Sequence, residues 1–439
     1  MDKIKEVTGE KRTRKRFFIL FVVCIITCLN YLDRANIAVA GTSLQQDLQL
    51  DPVMMGLVFS TFGWTYTIMQ IPTGWFIERL GPHILYTFAI VGWSLFTGLT
   101  SLAMNFAMLI AFRLALGFFE APAFPLNARI ISDWFPQRER AQAISYYTAA
   151  EYIGLAFFTP FLAWIVQSFG WRMIFFGTGI LGLFIAAIWH VTYSSPHNKK
   201  GVNKAELNYI LDKENVRQAS CKRSISFAEF RFFFLKRQLI GLYIGHFAVT
   251  STLFFFMTWF PSYLVAERGM EILKAGIFTS LPFIAAIVGV LIGGRGSDAL
   301  INRGYSLDVA RKWPIIGGML LSSCVIFANY IDNINAVVLI MCLAFAGQGV
   351  ASTVAWALLS DIAPKDSIGI VGSIFNFCAN LGGVISPLAV GIIIKYTGSF
   401  EAALSFIAIV ALLGVVSYIF IIGKTHRIES FKEGLENEI

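Results

Sequence analysis

The chain has 439 residues, of which 56% are hydrophobic and only 14% charged, with a mean hydropathy of +0.66 and a formal net charge of +8. That balance excludes an ordinary soluble domain, whose water-facing surface needs about a quarter of charged residues. It does not point to nucleic acid either. The basic residues gather at 3–16 and 199–237, while the connections 40–52, 103–105 and 331–334 hold none, which is how cytoplasmic and external loops sort.

Apolar runs of roughly twenty residues, enough to cross a bilayer's hydrocarbon, recur at 17–39, 53–76, 83–103, 106–128, 141–167, 171–193, 239–264, 273–296, 313–330, 335–359, 369–394 and 399–423. They predict an all-α integral membrane protein with twelve transmembrane helices in two pseudo-symmetric halves, 1–193 and 239–439, joined by a cytoplasmic linker, 194–238. Both termini are expected in the cytoplasm. The first run reads as a retained span rather than a signal peptide, because Asp33 and Arg34 interrupt it and no small-residue cleavage site follows. Five of the six cysteines fall in apolar spans without paired spacing and read as small buried hydrophobes; Cys221 falls in the linker.

Charges inside apolar spans are costly, so each should face a protein-lined or watery interior. Asp33 and Arg34 lie about two-thirds of the way along the first span. The fourth span, running the other way, brings Arg113 to a similar depth, so Asp33 is within reach of pairing with Arg34 or Arg113; a purely structural ion pair is the competing reading. Arg113 and Glu120 are seven residues apart on one helical face. Pro122 and Pro125 withhold amide donors just beyond, opening the helix beside Glu120. Glu151 in the fifth span is a third intramembrane acid, readable either as a proton-coupling group or as a protonated hydrogen-bond donor. Asp33, Glu120 and Glu151 are thus the candidate proton-coupling residues.

The second span carries Tyr66 and Gln70 and ends in the turn GWFIERLGPH, with Gly74, Glu78 and Arg79. GRGSDALINRG, with Asp298, repeats its glycine-to-acid spacing 220 residues later, which marks an internal duplication. These residues, with Arg129 and Arg140 after the fourth span, are candidates for conformational gating, in competition with a solvated charged loop. In the second half His246, Ser352, Trp356 and Asn376 supply polar and aromatic groups without a charge. Arginines favour an anion, acids a linked proton, and the amides and indole opposite suit a polyhydroxylated chain.

The duplicated halves resemble the major facilitator superfamily. YLDRANIAVA, FGWTYTIMQIPTGWF, RLALGFFEAPAFP, HFAVTSTLFFFMTWFPSYL and GSIFNFCANLGG are similar to its anion:cation symporter family, and in particular to bacterial proton symporters of galactonate, glucarate and hexuronate. The resemblance implies proton handling at Asp33 and Glu120, with Arg34 beside them. It implies coupling or substrate binding at Arg113, and a sugar-acid site lined by Tyr66, Trp356 and Asn376. Galactonate-type members carry glutamine at the positions of Glu151 and His246, so the resemblance implies a changed substrate preference or proton count here. The expected activity is uptake of a sugar-acid anion with protons, by a functional monomer in the bacterial inner membrane, with no cofactor, metal, nucleic-acid partner or enzymatic chemistry. Alternatives are symport of another organic anion or phosphate, sodium coupling, and a transporter-like sensor.

Overall fold

The computed structural model describes residues 12–210, 227–364 and 367–428; Cys221 lies outside them. Among the described residues eleven helical stretches are long and apolar enough to cross a membrane. Ten correspond singly to expected spans. The eleventh, Pro72–Thr100, runs through Gly81, whose positive φ of 72° is where the chain turns back on itself. The helix α3, Pro52–Thr100, is therefore two crossings: its first arm packs parallel to the fourth span (Val58 on Arg113, Phe62 on Gly117), its second antiparallel to it (Tyr86 on Asn127). Among the described residues this makes twelve crossings, as expected.

In the first half α1 (Lys15–Val39), the short α2 (Gly41–Asp47), α3, α4 (Phe106–Glu120), α5 (Ala123–Trp134), α6 (Gln137–Phe169) and α7 (Trp171–Thr192) follow in order. As the two prolines suggested, the fourth span breaks at Ala121–Pro122, so Glu120 closes one helical segment and Pro122 precedes the next. The second half contains α10 (Arg237–Thr258), α11 (Phe260–Ala266), α12 (Ile272–Asn302), α13 (Trp313–Ser323), α14 (Ile334–Ile362), α15 (Ile368–Thr397) and α16 (Phe400–Val416). Between the halves lie α8 (Lys204–Ile210) and α9 (Phe227–Leu235). The described cysteines are free and only partly buried, so the expectation of buried sulfur holds in part.

The face where α1 begins is the near face, and the opposite one the far face. At the far face the halves meet closely. A Cβ on Gly56 would lie 2.8 Å from the Pro387 carbonyl oxygen, and one on Gly391 2.4 Å from that of Pro52, so only glycine lets α3 and α15 approach this far. Pro387 interrupts the α15 hydrogen-bond ladder, and carbonyls beside it are taken from outside: Ser60 Oγ donates to Val384 O at 2.5 Å and Trp259 Nε1 to Pro387 O at 2.9 Å. Lys395 Nζ reaches Asp51 Oδ2 at 3.0 Å. The Met54 backbone N–H, then Lys395, hold the Asp51 carboxyl below its usual value. A second seam joins α6 to α12, where Gly276 faces the Ala163 methyl and the Leu273 N–H donates to Gln167.

At the near face the start of the linker belongs structurally to the first half. α1 has no cap of its own, its N-cap being Arg14 at φ 58°. The fully buried Glu206 of α8 accepts instead from the backbone N–H groups of Lys15 (3.0 Å) and Arg16 (3.2 Å) and from the Thr13 hydroxyl, and lies 3.4 Å from the Arg16 guanidinium. A carboxylate at a helix N-terminus satisfies amides that have no partner within the helix and complements the helix dipole. Arg16 also pairs with Glu139 at 3.1 Å, Glu139 accepts from Tyr209, and Arg12 stacks on the Tyr209 ring at 3.7 Å. Glu206→Ala is therefore expected to cost roughly 2–4 kcal/mol by orphaning these donors. The check is a lower unfolding temperature in detergent together with faster proteolysis within 199–213; unchanged melting and proteolysis would contradict this role.

Candidate functional site

The site is set by the helical angle between neighbours. Asp33 and Arg34 are consecutive in α1, so their side chains leave it about 100° apart. Arg34 turns toward α4, and its Nε donates to Glu120 Oε1 at 2.6 Å, with Glu120 fully buried and the Arg34 side chain 9% exposed. Tyr31, Phe62 and Tyr66 surround the guanidinium, their ring centroids 4.8–4.9 Å from its carbon. Such a pair replaces lost hydration only because geometry and aromatic faces both contribute.

Asp33 turns the other way, toward α7. Asn36 Nδ2 donates to Asp33 Oδ1 at 3.3 Å and to Thr178 Oγ at 2.7 Å, while Asp33 Oδ2 is buried without a protein partner. The pairing with Arg34 or Arg113 that depth allows Asp33 is not formed: the neighbouring arginine points away, and Arg113 Nε donates to the Val58 carbonyl at 3.2 Å, its guanidinium over the Phe62 ring. Glu120 Oε2 and Arg34 Nη2 are likewise buried without a protein partner. Asn30, also buried, sits against Glu120. Glu151 is partly buried, with Tyr31 and Arg34 as its electrostatic neighbours, so the third acid joins this cluster.

Across the interface the second half contributes neutral groups. The His246 ring stacks on Phe375 with centroids 4.0 Å apart, and Trp356 meets both edge-on, at 5.9 and 4.8 Å. His246 is 4% exposed and Trp356 41%, so the indole is the open member of this trio and the imidazole lies behind it. Ser352 precedes Trp356 by four residues on the same face of α14. Asn376 Nδ2 donates to Gln70 Oε1 at 3.1 Å, a bond between the halves.

The expected gating residues cluster near the near face. Arg129 pairs with Asp133 at 3.1 Å, and Arg140 braces the α5–α6 connection through the Phe135 and Ser132 carbonyls. Arg79 lies over the Trp75 ring, 5.1 Å from its centroid, in the turn with Gly74 and Glu78. Asp298 pairs with Arg311 at 2.7 Å, and Arg311 with Asp361 at 2.8 Å. These partners of Arg129 and Asp298 lie within their own halves. Sequence reading missed Arg311 and Asp361, as well as Asn36, Thr178 and Asn30. Asn30 and Asn36 had a usable signal: amides within one turn of charged residues in an apolar span.

The charges at this site are unequal, since a carboxylate can be neutralised by a proton and a guanidinium cannot. Glu120→Leu, which leaves Arg34 buried and charged, is therefore expected to cost about 3–5 kcal/mol. Arg34→Leu should cost distinctly less. Thermal unfolding of the two purified variants tests the order, and the reverse order would contradict the assignment of this pair.

Known proteins resemble this chain over nearly its whole length. The family model of the Major Facilitator Superfamily matches residues 23–387 and 304–437. A D-galactonate transporter of Escherichia coli O6:H1 (strain CFT073) is 43% identical over 428 residues, 96% of this chain and 99% of that protein. A probable galactarate/D-glucarate transporter, GudP of Escherichia coli (strain K12), is 40% identical over 434 residues, 96% of each chain. Among solved structures, the inward open conformation of the xylose transporter XylE from E. coli superposes with a TM-score of 0.73 at 16% identity, covering 96% of this chain and 99% of that one. At that identity the likeness speaks to the fold alone.

Proposed function

The chain belongs to the major facilitator superfamily, and from that premise we propose that it is a proton-coupled symporter carrying a sugar-acid anion, an aldonate, aldarate or hexuronate, into the cell by alternating access. The observation that carries the reading is the buried Arg34–Glu120 pair, with the unpaired oxygen of Asp33 nearby and neutral amide and indole groups opposite. The near face is cytoplasmic, by its excess of basic residues. The site is complete within one chain, so the carrier acts as a monomer in the inner membrane.

In this mechanism the outward-facing carrier takes up protons on Glu120 and Asp33. Neutral Glu120 releases the Arg34 guanidinium, and a substrate carboxylate replaces it with bidentate geometry. Exchanging one carboxylate for another keeps the buried charge balanced, whereas an ionised Glu120 left alone would cost several kcal/mol. That penalty is the coupling free energy between proton and substrate. Arg113 adds positive potential beside the anion, Glu151 is a further proton-binding candidate through Tyr31, and Tyr66, Ser352, Trp356 and Asn376 contact the hydroxylated chain. His246 supports the site from behind Trp356. Gly74, Glu78, Arg79, Asp298, Arg129 and Arg140 act at the near face, where the halves part to release substrate.

Purified protein in liposomes with an acid exterior should accumulate members of a panel of aldonates, aldarates and hexuronates above equilibrium, and a protonophore should abolish the gradient. Replacing sodium at fixed pH should have no effect. Glu120→Gln should lose accumulation at least tenfold yet still exchange internal for external substrate. Accumulation that survives this substitution would refute the role given to Glu120, and uptake that follows sodium instead of pH would refute proton coupling.

A further inference from the structure

Gln70 lies on α3 about 27 Å from its far-face end, one helical turn beyond Tyr66. Its Oε1 accepts from Asn376 Nδ2 at 3.1 Å, and Asn376 is about 12 Å from the near-face start of α15. The bond therefore joins the halves on the near-face side of the ion pair, whereas Ser60–Val384 and Asp51–Lys395 join them toward the far face. The bond is also not isolated. The Arg34 guanidinium lies over the Tyr66 ring, 4.9 Å from its centroid, Gln70 follows Tyr66 by one turn on the same face of α3, and Arg34 is held by Glu120. Glu120, Arg34, Tyr66, Gln70 and Asn376 are thus successive neighbours from the buried carboxylate to the opposite half.

We infer that Gln70 is a positioning residue that clasps Asn376 in the substrate-free carrier and so links the state of the Arg34–Glu120 pair to closure of the near face. The inference rests on the symport reading above. With Glu120 ionised and paired, Arg34 faces Tyr66, Tyr66 faces Gln70, and the Gln70 amide holds Asn376. A bound sugar acid takes Arg34 with its carboxylate and Asn376 with a hydroxyl, so the clasp opens when the site fills. Only the empty carrier needs the clasp. Net uptake requires the empty carrier to reorient in every cycle, whereas exchange of internal for external substrate moves the loaded carrier both ways.

Gln70→Met keeps the side-chain length and removes both ends of the amide; Gln70→Ala is the second variant. In proteoliposomes, with the sugar acid that the wild-type protein accumulates best, both variants should slow proton-driven net uptake roughly fivefold, the equivalent of one hydrogen bond of about 1 kcal/mol. Exchange should stay within twofold of wild type, which also shows that the variants are folded. Net uptake at the wild-type rate would overturn the clasp while leaving symport standing. Equal loss of uptake and exchange, in variants that melt like wild type, would overturn it too, by making Gln70 a plain substrate ligand. Wild-type protein that exchanges substrate without accumulating it would remove the symport reading and this inference with it.

Discussion

An ionised group in an apolar interior must find its compensation within the protein, and the Arg34–Glu120 pair shows what that demands here. The guanidinium has one oxygen at 2.6 Å and three aromatic rings around it, and the carboxylate is fully buried beneath them. Its partner set draws on α1, α3 and α4 at once, so these crossings cannot shift independently without exposing a charge to lipid. The break at Ala121–Pro122 follows from the same place, since it ends the helical segment at the residue that supplies the acid. Asp33, one residue from Arg34, is carried by the helical angle to a different wall, where Asn36, itself bonded to Thr178, holds it.

The two halves carry a turn of the same glycine-to-acid spacing and differ in chemistry. The first concentrates charge between α1, α3, α4 and α6. The second offers stacked rings and amides on α10, α14 and α15. Under the proposed function the substrate's carboxylate meets the charges of the first half and its hydroxyls the neutral groups of the second. The glycines that bring α3 and α15 together at the far face make a tight seam there, while farther from that face the side chains of Gln70 and Asn376 join the same two helices. Close backbone contact fixes a seam, whereas a side-chain hydrogen bond worth about 1 kcal/mol can be exchanged for a ligand.

Class, number of crossings and boundaries within about six residues were legible in the chain, because hydrocarbon thickness sets helix length and a turn with its glycine-to-acid spacing repeats at half-length. The intramembrane acids and arginines stood out for the same reason, as polar groups in spans where every charge is costly. Sequence determined which residues carry the charge and which half carries them. Tertiary structure alone decided their pairing: depth along a helix can be counted from sequence, but azimuth relative to other helices cannot. Hence Arg34 meets Glu120 and Asp33 does not meet an arginine, Glu206 from the linker caps the start of α1, and Gln70, an unremarkable amide in the linear chain, faces Asn376 some three hundred residues away.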